Sequence, residues 1–269
     1  MKSKMNKILM LLFVVSLVAG MILPATASAS KLKTNDKEVV IGECVGENGE
    51  EVHEEIAGID PDTNEVIIKR VTVHKDKSHA KSQDAMSTTT TGCYNLMSVK
   101  WAETPVSYAI NPSNLMGLDK TAVTAAISTS VDTWDNETPV NLTTFSINLA
   151  ATYDGNGIRD GENSIVFGNN VLDTGVIAVT STWYTRGRNK QIVEFDMSLE
   201  TDYLWSVSGE PLAMDVQNIV THELGHAIGL ADLYDTCTLE TMYGYSTYGE
   251  TMKRTLNSGD KAGLISLYP

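Results

Sequence analysis

The chain has 269 residues, 42% of them apolar, and carries 34 Asp and Glu against 20 Lys and Arg for a formal net charge of −14. That length allows one sizeable core plus further segments. From Tyr94 onward 9 basic side chains face 21 acidic ones, so no basic stripe exists to displace counterions; nucleic acid is excluded as a partner, and the charge suits a protein dissolved in a saline exterior.

The chain begins with Lys2, Lys4 and Lys7, then an apolar run from Ile8 to Leu23. Ala25-Thr26-Ala27 and Ala27-Ser28-Ala29 offer small-residue cleavage sites. This predicts a secretory signal peptide over residues 1–29. The rival, an uncleaved anchor, needs a run of about 20 apolar residues, and this one has about 16. The expected product is a secreted, extracellular monomer with no stable membrane association.

Residues 30–92 are charged and weakly patterned. Val39-Val40-Ile41, Glu65-Val66-Ile67-Ile68 and Val71-Thr72-Val73 read as short strands, with a turn at Asp60-Pro61-Asp62-Thr63-Asn64. Lys75 to Asp84 reads as a solvated run and Ser87 to Thr91 as a polar tract, together a flexible linker. The region is expected to be a propeptide with its processing site in the linker; a retained accessory domain is the alternative.

Residues 93–269 read as the domain proper. Ser98 to Trp101 and Val106 to Ile110 form a first strand and its lead-in. A helix over Leu118 to Trp134 follows, N-capped by Asp119, with Val123, Ile127, Val131 and Trp134 at helical spacing. Strands are expected at Leu142 to Ile147, Ser164 to Phe167, Val176 to Trp183 and Gln191 to Asp196. A second helix starts near Met214 or Asp215, with Val216, Ile219, Val220 and Leu224 as its buried stripe, and a last one near Ser258, with Asp260 in its first turn. This order predicts an α/β (α+β) sandwich whose sheet backs onto the second helix. Asp154 to Asn163 packs hard oxygen donors between glycines and offers a candidate Ca²⁺ loop; Ile158 breaks the EF-hand spacing, and a plain glycine-rich loop is the alternative. Of the three cysteines, Cys93 and Cys237 are placed to pair, a buried free thiol being the alternative for each.

The second helix carries Thr221-His222-Glu223-Leu224-Gly225-His226-Ala227-Ile228-Gly229-Leu230-Ala231-Asp232. Residues four apart share a helix face, so His222 and His226 can offer two imidazole nitrogens to one tetrahedral Zn²⁺. Glu223 stands beside them, placed to take a proton from a water at the metal. Gly229 permits the sharp turn that would bring Asp232 round as third ligand. The bland reading, two surface histidines on an amphipathic helix, fits poorly with a chain that has no other histidine after residue 79.

His-Glu-x-x-His-x-x-Gly-x-x-Asp resembles the metzincin zinc-peptidase signature, in which the third ligand is usually His. Glu240-Thr241-Met242-Tyr243-Gly244 resembles the metzincin Met-turn. Val131 to Asp135 with Thr138-Pro139, Asn163 to Gly168, Ile192 to Asp196, Ser258 to Ile265 and Leu267-Tyr268 resemble matrixins in particular. The likeness covers about residues 94 to 269 and departs at Asp232 and at Gly244, where the family has proline. It implies a metzincin-like sandwich with a mixed, mostly parallel sheet, an active-site helix and a C-terminal helix. It also implies one catalytic zinc on His222, His226 and Asp232, Glu223 as catalytic base and Met242 as support beneath the metal. The edge strand of that fold corresponds to Val176, Ile177, Ala178, Val179 and Thr180, which would pair with an extended polypeptide substrate. Matrixin propeptides hold the zinc inactive with a cysteine thiolate, which raises Cys44 as an inhibitory ligand in a zymogen, without the family's surrounding motif.

The expected function is that of a secreted zinc metalloendopeptidase. Two rivals remain: a gluzincin-like peptidase with Glu240 or Glu250 as third ligand, and an exported binding protein whose zinc is purely structural. A structural site closes its fourth position with protein.

Overall fold

The computed structural model describes residues 31–34, 37–40, 52–79, 92–153, 159–169, 175–234 and 237–269. The expected signal peptide, Cys44, the part of the expected linker over 80–91 and residues 154–158 of the glycine-rich loop lie outside these. The chain divides into two units, Met1–Val40 and Ile41–Pro269. In the first, β1 (Lys31–Thr34) pairs antiparallel with β2 (Lys37–Val40).

The second unit opens with β3 (Val52–Ile59) and β4 (Val66–Asp76), joined by the expected turn, in which Asp60 Oδ1 accepts from the backbone of Asp62 and Thr63. Then come β5 (Asn95–Leu96), β6 (Lys100–Trp101), β7 (Val106–Ile110), α1 (Lys120–Asp135), β8 (Thr143–Ile147), β9 (Ser164–Gly168), β10 (Val176–Thr185) and β11 (Gln191–Glu200). The rest is β12 (Trp205–Ser206), β13 (Met214–Asp215), α2 (Val216–Ala227), β14 (Leu230–Ala231), β15 (Tyr245–Ser246) and α3 (Ser258–Leu267).

The main sheet runs β15-β4-β10-β11-β9-β7-β8, with β3 also on β4 and β6 also on β11. β8, β7, β9 and β11 are mutually parallel, as crossover connections through helix and loop allow. β10 runs antiparallel to β11, and β4 antiparallel to β10. The result is the mixed, mostly parallel sheet of an α+β sandwich.

Helices α1 and α2 cover one face. Val123, Ile127, Val131 and Trp134 of α1 meet Ile219, Val220 and Leu224 of α2, above Ile165, Ile177, Phe195 and Met197 of the sheet. Each such side chain, fully buried, contributes about 1.5–3 kcal/mol of hydrophobic stabilisation. Asp119 caps α1 by accepting from Ala122 N at 2.9 Å. α3 is closed by a capping box between Asn257 and Asp260 and adds Leu264 and Leu267 to the same core.

Two expectations about the N-terminal region need correction. β4 is one strand of 11 residues rather than two short ones, and it continues through Lys75 and Asp76 into a single turn at Lys77–His79. The solvated run therefore does not begin at Lys75. That residue's backbone lies between Val176 of β10 and Tyr245 of β15, so both its sides are taken by neighbouring strands. Residues 52–79 thus lie in the same sheet as the strands that follow residue 93.

Candidate metal centre

α2 is held at both ends. Asp215 accepts from Asn218 N at 2.9 Å as N-cap, and its carboxylate also receives Arg254, Nε at 2.8 Å and Nη2 at 2.5 Å. The Trp134 indole donates to Thr221 O at 2.8 Å, fixing the helix one residue before His222. At the far end Gly229 has φ +107°, and a Cβ there would lie 2.3 Å from Val99 O. Any side chain would be doubly excluded, and the turn it permits delivers Asp232 to the open side of the helix.

The imidazoles are oriented by carbonyls. His222 Nδ1 lies 2.7 Å from Thr241 O, and His226 Nδ1 lies 3.0 Å from Leu230 O. A carbonyl can only accept, so each Nδ1 carries a proton, and in the neutral ring that a metal binds each Nε2 presents a lone pair. These two Nε2 atoms are 3.2 Å apart. Asp232 Oδ1 lies 3.1 Å from the first and 3.4 Å from the second, while its Oδ2 accepts from Tyr234 Oη at 3.0 Å. All three side chains are buried, and Asp232 Oδ1 has no hydrogen-bond partner.

Three lone-pair atoms converging out of water repel one another unless a cation sits among them. With zinc bonds of about 2.0–2.1 Å, the edges of a ligand tetrahedron are about 3.3–3.4 Å. The observed triangle matches one face of that tetrahedron, so the donor set fits Zn²⁺. The titration of the ligands shows the same demand for positive charge. Burial would push the His226 imidazole down, but Asp232 outweighs it and holds His226 up at about 9. Burial would likewise raise Asp232, but the two imidazoles keep its carboxyl well below the usual range.

Glu223 is fully buried beside this triangle. Its Oε2 accepts from Thr180 Oγ1 of β10 at 2.5 Å, and its Oε1 has no partner. Burial raises its pKa, against the pull of His226, His222 and the Thr180 hydroxyl. A carboxylate with one oxygen anchored and the other bare is placed to accept a proton.

Met242 lies beneath the helix at 1% exposure. Its backbone N donates to Asp260 Oδ1 at 3.1 Å, and Thr241 N donates to Asp260 Oδ2 at 2.7 Å. A Cβ on Gly225 would lie 2.2 Å from Met242 Sδ, so the helix and the turn touch through that glycine. The departure at Gly244 has a similar cause: the Tyr234 ring, whose hydroxyl holds Asp232, lies 2.3 Å from where a Cβ would be. Cys93 and Cys237 form a disulfide, Cα–Cα 5.5 Å, which ties the start of the domain to the loop after Asp232.

The other expected residues fall elsewhere. Glu240 Oε2 accepts from Gly259 N and Asp260 N, and Glu250 binds Lys253, so each is engaged away from the imidazoles. In the described part of the glycine-rich loop, the backbone of Asp160 and Gly161 donates to Glu194 at 3.0 and 2.7 Å. That places a carboxylate under the loop without gathering others around a Ca²⁺ position. Val176 to Thr180 does flank the site, but β10 is no edge strand: β4 pairs with it from Val176↔Lys75 to Thr185↔Ile67.

Sequence reasoning missed His74. It is fully buried on β4, opposite Ala178, with its ring centroid 3.9 Å from that of His222. His74, His222 and Asp232 each place one ligand atom within 4.8 Å of the others. Its Nε2 lies 2.8 Å from Ser246 Oγ, and its Nδ1 has no partner. Burial, with His222 and Lys253 nearby, keeps His74 well below the usual pKa and so neutral. The signal was available in the alternation of Val71, Thr72, Val73 and His74, which sets His74 on the face opposite the valines.

Sheet, helix pair and converging ligands define an α+β metallopeptidase fold built around a zinc-binding helix. The matrixin family model matches residues 100–269, more than half of the chain, and the chain belongs to that family. It is a zinc metallopeptidase of matrixin type. No curated protein matches it.

Proposed function

We propose that the protein is a secreted endopeptidase that cleaves extended polypeptides, with zinc on His222, His226 and Asp232 and Glu223 as general base. The observation that carries the reading is the free Oε1 of Glu223 beside three converging ligand atoms. Zinc held there supplies Lewis acidity toward a scissile carbonyl and a water.

Glu223 accepts the proton of the attacking water at Oε1 and passes it to the leaving amine. Thr180 holds the other oxygen, so the carboxylate cannot swing away between the two transfers. Thr241 O and Leu230 O keep both imidazoles in the tautomer that leaves Nε2 free. Both edges of β10 are taken in the full chain, by β4 and by β11, so an extended substrate would pair with this strand only where β4 is displaced from it. Export rests on the N-terminal pattern of Lys2, Lys4, Lys7 and the apolar run. No helix among the described residues is long and apolar enough to cross a membrane.

Glu223→Gln keeps the shape and removes the base. Peptide hydrolysis by the activated protein should fall by at least about a thousandfold, within the range of a lost general base and its associated contacts, while zinc stays near one per chain. Loss of zinc together with activity would assign Glu223 to the metal and sink this mechanism.

A further inference from the structure

We propose that Tyr234 is the positioning residue that lets a carboxylate stand in for an imidazole at this site: it ties up Asp232 Oδ2, so that Asp232 offers a metal one oxygen only and the fourth position stays open. The inference rests on the reading of His222, His226 and Asp232 as the ligands.

The chemistry of the ligand sets the problem. A neutral imidazole presents a single lone pair to an ion, whereas a carboxylate has two equivalent oxygens and can bind through one or both. Bound through both, it would take up the position that a catalytic site keeps for its reactants. Replacing the third imidazole by Asp232 therefore requires that the second oxygen be held elsewhere. Asp232 Oδ1 faces both Nε2 atoms, at 3.1 and 3.4 Å, and has no hydrogen-bond partner. Oδ2 accepts from Tyr234 Oη at 3.0 Å. A phenol donating to an ionised carboxylate makes a charge-assisted bond, stronger than one between neutral groups. It also draws charge onto Oδ2 and leaves Oδ1 as the one oxygen directed at the imidazoles.

The second observation is how the ring is seated. Leu233 N donates to Met242 O and Gly244 N donates to Leu233 O, both at 2.9 Å, so the backbone just before Tyr234 is laced to the turn that carries Met242. The ring lies directly over Gly244, where a Cβ would come within 2.3 Å of Cε1, 2.5 Å of Cζ and 2.8 Å of Oη. Tyr245 packs edge-on against it, centroids 5.1 Å apart and planes at 69°. The reach of the hydroxyl to Asp232 thus depends on a glycine at the place where the family has proline. The two departures from the matrixin pattern, Asp232 and Gly244, are then a single adaptation: the carboxylate needs the tyrosine, and the tyrosine needs the missing side chain.

The test loads the full chain with cobalt(II), whose visible absorption weakens as its coordination number rises, and compares the wild type with Tyr234→Phe and Gly244→Ala. Without the phenol, Oδ2 is a buried anionic oxygen lacking a donor, and it should turn to the ion. Tyr234→Phe should therefore lose much of the visible intensity, and a crystal structure of its zinc-loaded form should show both Asp232 oxygens at the ion. Gly244→Ala keeps the hydroxyl but displaces the ring, and should give the same weakened spectrum. A wild-type spectrum in Tyr234→Phe would overturn the proposal. A wild-type spectrum in Gly244→Ala alone would keep the role of the tyrosine and overturn its dependence on the glycine. A tyrosine that served only to fill space would lower the melting temperature of the metal-free chain and leave the cobalt spectrum unchanged. Asp232→Ala separates this inference from the reading beneath it. If that variant holds cobalt with the wild-type spectrum, Asp232 is no ligand and the assignment itself fails. If it loses cobalt while Tyr234→Phe keeps the wild-type spectrum, the assignment stands and the role of Tyr234 alone falls.

Discussion

Thr180 and Glu223 are joined by a 2.5 Å hydrogen bond that runs from the strand beside the metal site to the acid on the helix. The bond favours the carboxylate form and so opposes the upward push of burial on Glu223. Thr180→Val removes it. The pKa of Glu223 then rises further, and since the base must be ionised to act, the acid limb of kcat against pH moves to higher pH in the activated protein. At neutral pH the rate should fall about tenfold, the worth of one hydrogen bond to a charged group. Thr180→Ser should restore both. A pH profile unchanged in the valine variant would show that Glu223 does not titrate in the rate-limiting step.

Asp260 reaches the metal site without touching it. It accepts from Thr241 N, Met242 N and Asn257 N, and the carbonyl of Thr241 is what orients His222. Asp260→Ala leaves three backbone donors unpaired and should cost about 3 kcal/mol or more in a denaturant titration. Zinc affinity, read by competition with a chromophoric chelator, should drop about 10–100-fold, the usual effect of losing a group that positions a ligand. A stability loss with unchanged affinity would mean that the Met-turn holds its shape without Asp260.

Glu194 gives a pH dependence of stability with a defined sign. Burial lifts its pKa from 4.5 to about 7, even though Gly161 and Asp160 donate to it. Between those values the folded chain holds a proton that the unfolded chain has released, so this group's contribution falls as pH rises through the window. Glu194→Gln should flatten the corresponding part of the melting temperature against pH, with the wild-type-minus-variant difference sloping downward from pH 4.5 to about 7. An upward slope would mean that the loop's hydrogen bonds outweigh burial.

The disulfide between Cys93 and Cys237 closes a loop with a sequence separation of 144. Replacing both cysteines with serine should destabilise the chain by about 2–5 kcal/mol, measured by denaturant unfolding. Addition of reductant to the wild type should reproduce the loss, and its absence would place the constraint in the packing around the two residues instead.

Much of the site was legible in the sequence because it is local. His222, Glu223, His226, Gly229 and Asp232 occupy 11 consecutive positions, and helical spacing plus one positive-φ turn folds them together with no information from elsewhere. Asp119 as N-cap and the buried stripe of α2 were readable for the same reason. β4 was not. Its apolar positions are interrupted by Lys69 and Arg70, which split it into two short strands in the sequence although Glu55 and Glu54 pair with them in the fold, and by Lys75, which reads as the start of a solvated run. His74 was invisible because its partners are 148 to 172 residues away: His222 and Ser246 come to it through strand pairing. The pairing of β10 was misjudged in the same way, since an edge exists only relative to strands whose register is unknown in advance.

The order of synthesis bears on β4. It emerges from the ribosome about a hundred residues before β10, its main pairing partner, several seconds at ordinary elongation rates. Throughout that interval 11 residues with strong strand propensity have only β3 beside them. Lys69, Arg70 and Lys75, which spoil the apolar pattern, are gatekeepers of the kind that keep an unpaired edge from joining another nascent chain. The positive charges that hide β4 from a pattern search would thus serve the molecule before it has folded.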